Sequence, residues 1–180
     1  DAAAQIQRLS IERIRSALHA NEMVLHYQPK VNMKTGAVIG AEALIRWQHP
    51  ERGLLQPSAF LPIIENQDVS VELDEWVIGA ALAQMAQWLS QGLSLPVSVN
   101  VGARQLQQAN FAERLGCLLA AHPTVSPAHL ELEVLETSAL ADITQVSAIM
   151  QGCRALGVHF ALDDFGTGYS SLTYLKHLPA

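Results

Sequence analysis

Val158-His159-Phe160-Ala161-Leu162-Asp163-Asp164-Phe165-Gly166-Thr167-Gly168-Tyr169-Ser170-Ser171 reads as an apolar strand ending in two adjacent carboxylates and a glycine-punctuated turn. Paired carboxylates at the exit of a buried strand are costly to desolvate unless a cation meets them. The glycines behind them let the backbone turn sharply and approach a ligand closely. In a parallel α/β sheet or barrel the strand C-termini converge on one rim, and the rim is where sites are built.

Working outward, two more short apolar strands precede this one, at Pro96 to Val101 and Leu130 to Leu135. Helical runs lie between them. Leu73, Val77, Ala80, Ala81, Met85, Trp88 and Leu89 keep a 3.6-residue period toward Gly92. Arg104 to Ala121 holds one or two helices, Asp142 to Leu156 is helical with Gly157 as its C-cap, and Ser170 to His177 starts another helix. Toward the N-terminus, a helix over about Ala4 to Ala20 precedes strands at Met23 to Val31 and Ala37 to Trp47, paired as a hairpin around Lys34-Thr35-Gly36. His49 to Gly53 reads as loop, and a short helix starts at Ser58 with Pro62 in its first turn. Strands separated by helices of this length imply right-handed crossovers and a mostly parallel sheet, so the expectation is a single α/β domain.

Composition narrows the function. The 180 residues are 49% apolar and only 16% charged, which suits a globular chain. A net charge of -6 speaks against wrapping long nucleic acid, though not against a small phosphate ligand held through metal ions. Cys117 and Cys153 have no metal-ligand spacing and fit a reduced compartment. No apolar run reaches transmembrane length, so the expectation is a cytoplasmic piece without membrane insertion, whose parent protein could still carry an anchor.

Strands after the first carry polar residues at or near their C-terminal ends: Glu42 in the second, Asn100 in the third, Glu133 in the fourth, and Asp163-Asp164 ending the fifth. Together they form an oxygen-only donor set of the kind hard divalent cations prefer, and a carboxylate pair able to bridge two ions suits phosphoryl chemistry. Each residue also has a plainer reading. A single Glu in a strand more often faces solvent, Glu131 reads as such a solvated neighbour, Asn100 could satisfy a loop, and Asp before Gly is common turn chemistry. Recurrence at successive strands favours the site. Asp164-Phe165-Gly166 lacks the companion motifs of a kinase, and Gly166-Thr167-Gly168 lacks the Lys of a P-loop.

Glu42-Ala43-Leu44-Ile45-Arg46-Trp47 and Asp163 to Leu172 resemble the EAL domain family of bacterial cyclic di-GMP phosphodiesterases. Tyr27-Gln28-Pro29, His49 to Gly53, Phe60-Leu61-Pro62, Ser98 to Val101 and Leu130 to Glu133 match family landmarks in order, from about Leu9 onward. The resemblance implies a modified TIM-like (β/α)8 barrel with one antiparallel strand. It implies two Mg2+ or Mn2+ ions and hydrolysis of cyclic di-GMP to linear pGpG. Glu42, Asn100, Glu133 and Asp163 would hold one ion, and Asp163 would bridge to a second held by Asp164. Gln28, Leu44 and Arg46 match substrate-contacting positions, and Glu136 matches the residue that anchors the loop from Asp163 to Ser171.

Leu135 stands where the family usually has Thr, and Gly102 where Ser is common. A complete barrel takes about 250 residues. The resemblance therefore implies that residues 21–180 hold the domain without its last strands and helices, and that residues 1–20 form a linker or N-terminal helix behind an upstream sensory or GGDEF-type domain. A catalytic Lys and a further Glu are expected beyond Ala180, so residues 1–180 alone are expected to show little activity. A homodimer through the helix after Ser170 is a further expectation. The competing functional class is a receptor or regulatory module that holds cyclic di-GMP without cutting it.

Overall fold

The computed structural model describes residues 2–135 and 143–163. Helix α1 (Ala2–His19) leads into the hairpin of β1 (Met23–Val31) and β2 (Val38–His49), followed by the short β3 (Gly53–Leu55). A 3-10 turn at Pro57–Ala59 and the one-turn α2 (Leu61–Ile64) precede the long α3 (Asp68–Ser90). Strand β4 (Val97–Val101), α4 (Phe111–Ala120), β5 (Leu130–Leu135), α5 (Ile143–Ala155) and β6 (His159–Asp163) complete the described order.

The strands lie in the order β1-β2-β4-β5-β6, with β3 on β2. From β2 to β6 all neighbours on that path are parallel, while β1 runs antiparallel to β2. This arc with α3, α4 and α5 as crossovers is the wall of a modified (β/α)8 barrel, as expected. Two details differ from the sequence reading. His49 continues β2, and Gly53–Leu55 inside and beyond the expected loop returns antiparallel along it, pairing Trp47 with Leu55. Glu42 is also not at a strand end, because β2 runs on to His49. It does sit at the centre of the short segment, Ala41 to Ala43, that pairs with β4.

The turns follow from local chemistry. At the end of α3, Leu93 N–H donates to Trp88 O and Gly92 N–H to Leu89 O, with Gly92 at φ 83°. That six-to-one and five-to-two pair is a Schellman cap, and it needs a residue at ease with positive φ. At the end of α1, Asn21 takes the same role at φ 57°, and Glu22 N–H donates to Ala17 O. Glu22 is thereby placed to accept from Trp47 Nε1 and Arg13, each at 2.8 Å, which fastens α1 to the first hairpin. The Trp47 hydrogen bond, helped by Arg13 and opposed by burial, holds the Glu22 carboxyl below its ordinary value.

Two apolar clusters form the core. The larger lies between the sheet and helices α3, α4 and α5, with Leu82, Leu115, Leu130, Leu132 and Met150 fully buried. The smaller gathers Ile14, Ala17, Trp47, Phe60, Ile64 and Leu73 around α1 and α2. Helix α3 supplies both clusters, Val69 and Leu73 to one and Val77 to Met85 to the other.

Between those two sets on α3, Asp74 accepts a hydrogen bond from Gly102 N–H, at 2.9 Å, just past β4. A Cβ at position 102 would lie 3.2 Å from Asp74 Oδ2, so the glycine lets the backbone and carboxylate meet closely. Burial pushes the Asp74 carboxyl up to about 7, the Gly102 N–H works against that, and Glu75 adds to the rise. Asp74 is half-buried and lines a cavity.

Leu132→Ala should cost about 2–5 kcal/mol by removing a fully buried side chain from β5, an interior strand of the sheet. Urea denaturation should show a large fall in midpoint, with Leu93→Ala, at a half-exposed position, as the near-neutral control. For Asp74 the folded pKa lies above the ordinary 3.8, so between that value and about 7 the folded state keeps a proton that the unfolded state has lost. Stability from this group therefore falls as pH rises through that window. Asp74→Asn should remove this component, so its midpoint gains on wild type between pH 4 and 7; parallel pH profiles would exclude the shift.

Candidate active site

Strand alternation decides what faces what. Along β4, Val97, Val99 and Val101 pack into the large cluster, which turns Ser98 and Asn100 to the opposite face. Along β5, Leu130, Leu132 and Val134 do the same, leaving Glu131 and Glu133 with Ser98 and Asn100. Ala43 and Ile45 pack toward the helices, so Glu42, Leu44 and Arg46 join the polar face. Leu25 and Tyr27 set the phase of β1 and place His26, Gln28 and Lys30 there too.

Register then brings the candidates together. Gln28 pairs with Glu42, Glu42 with Ser98, and Asn100 with Glu133. Asn100 Nδ2 donates to Glu42 Oε1 at 3.1 Å, which leaves the Asn100 amide oxygen as the outward acceptor. Arg46 is half-buried and donates from one guanidinium nitrogen to Ile45 O at 2.8 Å. Asp163 ends β6 in register with Leu135. Asp164, Glu136, the loop to Ser171 and the helix expected from Ser170 lie outside the described residues.

Sequence reading missed a second cluster on the same face. Lys30 Nζ donates to Glu133 Oε1 at 2.6 Å and to Ser98 Oγ at 2.7 Å, and lies 3.5 Å from Glu131 Oε1. Ser98 Oγ in turn donates to Glu131 Oε1 at 2.8 Å. Glu131 is therefore an engaged member of the inner face and not only a solvated neighbour of Glu133. Burial opposes the charge on Lys30, but Glu133 and then Glu131 outweigh it and hold its pKa above the ordinary lysine value. The available signal was Lys30 standing two residues from Gln28 on one strand, hence on one face.

Beside this face lies a cavity of about 420 Å³ whose walls include Leu44, Ile64, Leu73, Asp74, Asn100 and Glu133. It is bounded on one side by apolar groups from α2 and α3 and on the other by the polar strand residues, a combination that suits an amphipathic small ligand. Among the described residues no three His, Cys, Asp or Glu side chains form a metal cluster. The donor chemistry of Glu42, Asn100 and Glu133 is all oxygen and fits Mg2+ or Mn2+, with an amide oxygen already oriented by its bond to Glu42. Among the described residues no helix is long and apolar enough to cross a membrane.

The EAL domain family pattern matches residues 11–180. The bifunctional diguanylate cyclase/cyclic di-GMP phosphodiesterase MucR of Pseudomonas aeruginosa is 43% identical over 181 residues, covering 100% of this chain and 26% of that protein. The cyclic di-GMP phosphodiesterase PdeR of Escherichia coli (strain K12) is 38% identical over 92% of this chain and 25% of its own length. The chain thus spans about a quarter of the curated relatives it matches. The solved structure of the PaMucR phosphodiesterase in complex with c-di-GMP superposes with a TM-score of 0.88 at 43% identity, over 96% of this chain and 70% of that one. By sequence and by fold, this chain belongs to the EAL domain family.

Proposed function

We propose that the intact parent protein, of which this chain is part, hydrolyses one phosphodiester bond of cyclic di-GMP to give linear pGpG. The observation that carries this reading is the convergence of Gln28, Glu42, Asn100 and Glu133 on one face of the sheet, beside a cavity of small-ligand size. The 43% identity to a MucR named as a cyclic di-GMP phosphodiesterase supports it.

In this reading Glu42, Asn100, Glu133 and Asp163 hold one divalent cation, and Asp163 and Asp164 hold a second. Bound Mg2+ or Mn2+ would lower the pKa of water to make a nucleophile and neutralise charge growing on the phosphoryl oxygens. The chain's own groups do the positioning. Asn100 restrains the Glu42 carboxylate, and Lys30 restrains that of Glu133. Gln28 and Leu44 contact the substrate, and Arg46 offers its remaining guanidinium donors to a phosphate. Glu136 anchors the loop from Asp163 to Ser171.

Residues 1–20 serve as the N-terminal helix or linker and residues 21–180 as the EAL domain proper in this proposal. The diguanylate cyclase activity in the name of the MucR relative supports an upstream GGDEF-type partner domain. A cytoplasmic location is part of the same proposal. Self-association through the helix after Ser170 completes the proposal.

Incubating the intact parent protein with cyclic di-GMP and Mn2+ should produce pGpG, and a chelator should stop it, while residues 1–180 alone should show little turnover. Binding without pGpG would instead establish a non-hydrolysing receptor. In the intact protein Glu42→Ala should abolish turnover while leaving the circular dichroism melt near wild type. Retained turnover would remove Glu42 from the site.

A further inference from the structure

The inner face of the sheet carries a fixed cation that the metal chemistry does not require. Lys30 reaches from the antiparallel strand β1 to three groups on β4 and β5, and its shortest contact is with Glu133. Gly40 stands opposite Lys30 in the hairpin register, so β2 places no side chain beside the lysine stem. Ser98 relays the contact, accepting from Lys30 and donating to Glu131, so donors and acceptors run in one direction through the cluster. The Glu133 side chain is only 12% exposed, against 36% for Lys30 and 38% for Glu131. The ammonium therefore makes its shortest contact with the better shielded of the two carboxylates it meets, where a charge acts more strongly.

Resting on the metal site proposed above, we infer that Lys30 is a built-in counter-charge that competes with the divalent cation for Glu133 and sets how tightly that cation is held. Three effects act in one direction. The ammonium occupies lone pairs of Glu133 Oε1, it repels an incoming cation, and it screens the mutual repulsion of Glu131 and Glu133 that a cation would otherwise relieve. Lys30 is thus a positioning residue: it holds the Glu133 side chain in place when no metal is bound, and weakens the metal's hold when one is.

A purely structural lysine predicts the opposite sign on removal, because a disordered Glu133 binds metal less well. Titrating the protein with Mn2+ alone, without nucleotide, and reading free Mn2+ by electron paramagnetic resonance separates the two. Lys30→Met should bind Mn2+ about tenfold more tightly or better. Lys30→Gln should also bind more tightly, and Lys30→Arg, which keeps the charge, should stay near wild type. Circular dichroism melts verify folding of each variant. Unchanged or weaker binding in Lys30→Met and Lys30→Gln overturns the inference, as does loss of fold in both. Tightening in Lys30→Arg equal to that in Lys30→Met does so too. If wild type binds no Mn2+ at all, the metal site itself falls; if wild type binds and the variants do not tighten, only the role of Lys30 falls.

Discussion

Leu130, Leu132 and Val134 lie under the helices, and Glu131 and Glu133 between them face the other way, beside Ser98 and Asn100 of the parallel neighbour. Helix packing on the outer face sets the phase of β5. Parallel register sets which residues of β4 meet it, and the inner-face chemistry follows from those two facts. A one-residue slip of β5 would bury two glutamates under α4 and α5 and expose three aliphatic side chains to the interior. The register that places the polar groups is therefore the same one the core enforces.

Much of this was legible from the chain alone. Helical and strand periods located the main elements because both rest on which side chains meet the core. Glu42, Asn100 and Glu133 were conspicuous because each breaks an apolar run. Lys30 was not, since it follows Pro29 near the end of a hairpin strand, where a lysine is ordinary edge chemistry. Its role depends on a reach across two further strands that no local pattern encodes. The third strand, Gly53–Leu55, was hidden for a related reason. Its pairing comes from β2 extending to His49, and its composition resembles the turn before it. Gly102 looked like a bare substitution until Asp74, distant in sequence, was found hydrogen-bonded to its N–H.

The inward carboxylates are tolerable because each has a partner that leaves part of it available. Glu42 accepts from an amide, a neutral donor that restrains without neutralising. Glu133 accepts from an ammonium, which restrains and neutralises together. The two ends of the candidate ligand set are thus held by different physics. A cation arriving between them would meet one carboxylate held by a neutral amide and another already paired with an ammonium.

Strands β2 and β4, which carry Glu42 and Asn100, pair along the short segments Ala41 to Ala43 and Val97 to Val99. So brief a ladder fixes register better than it fixes the angle at which β2 continues past the site. Helix α3 supplies what the ladder lacks. Its first turns pack with Trp47 and Phe60 near the far end of β2, and its later turns pack on Val97 and Val99. Asp74, between those two stretches, ties the same helix to the turn after β4. One rigid element thus spans both sides of this short seam, and the 3.1 Å bond between Asn100 and Glu42 crosses it beside the end of the ladder.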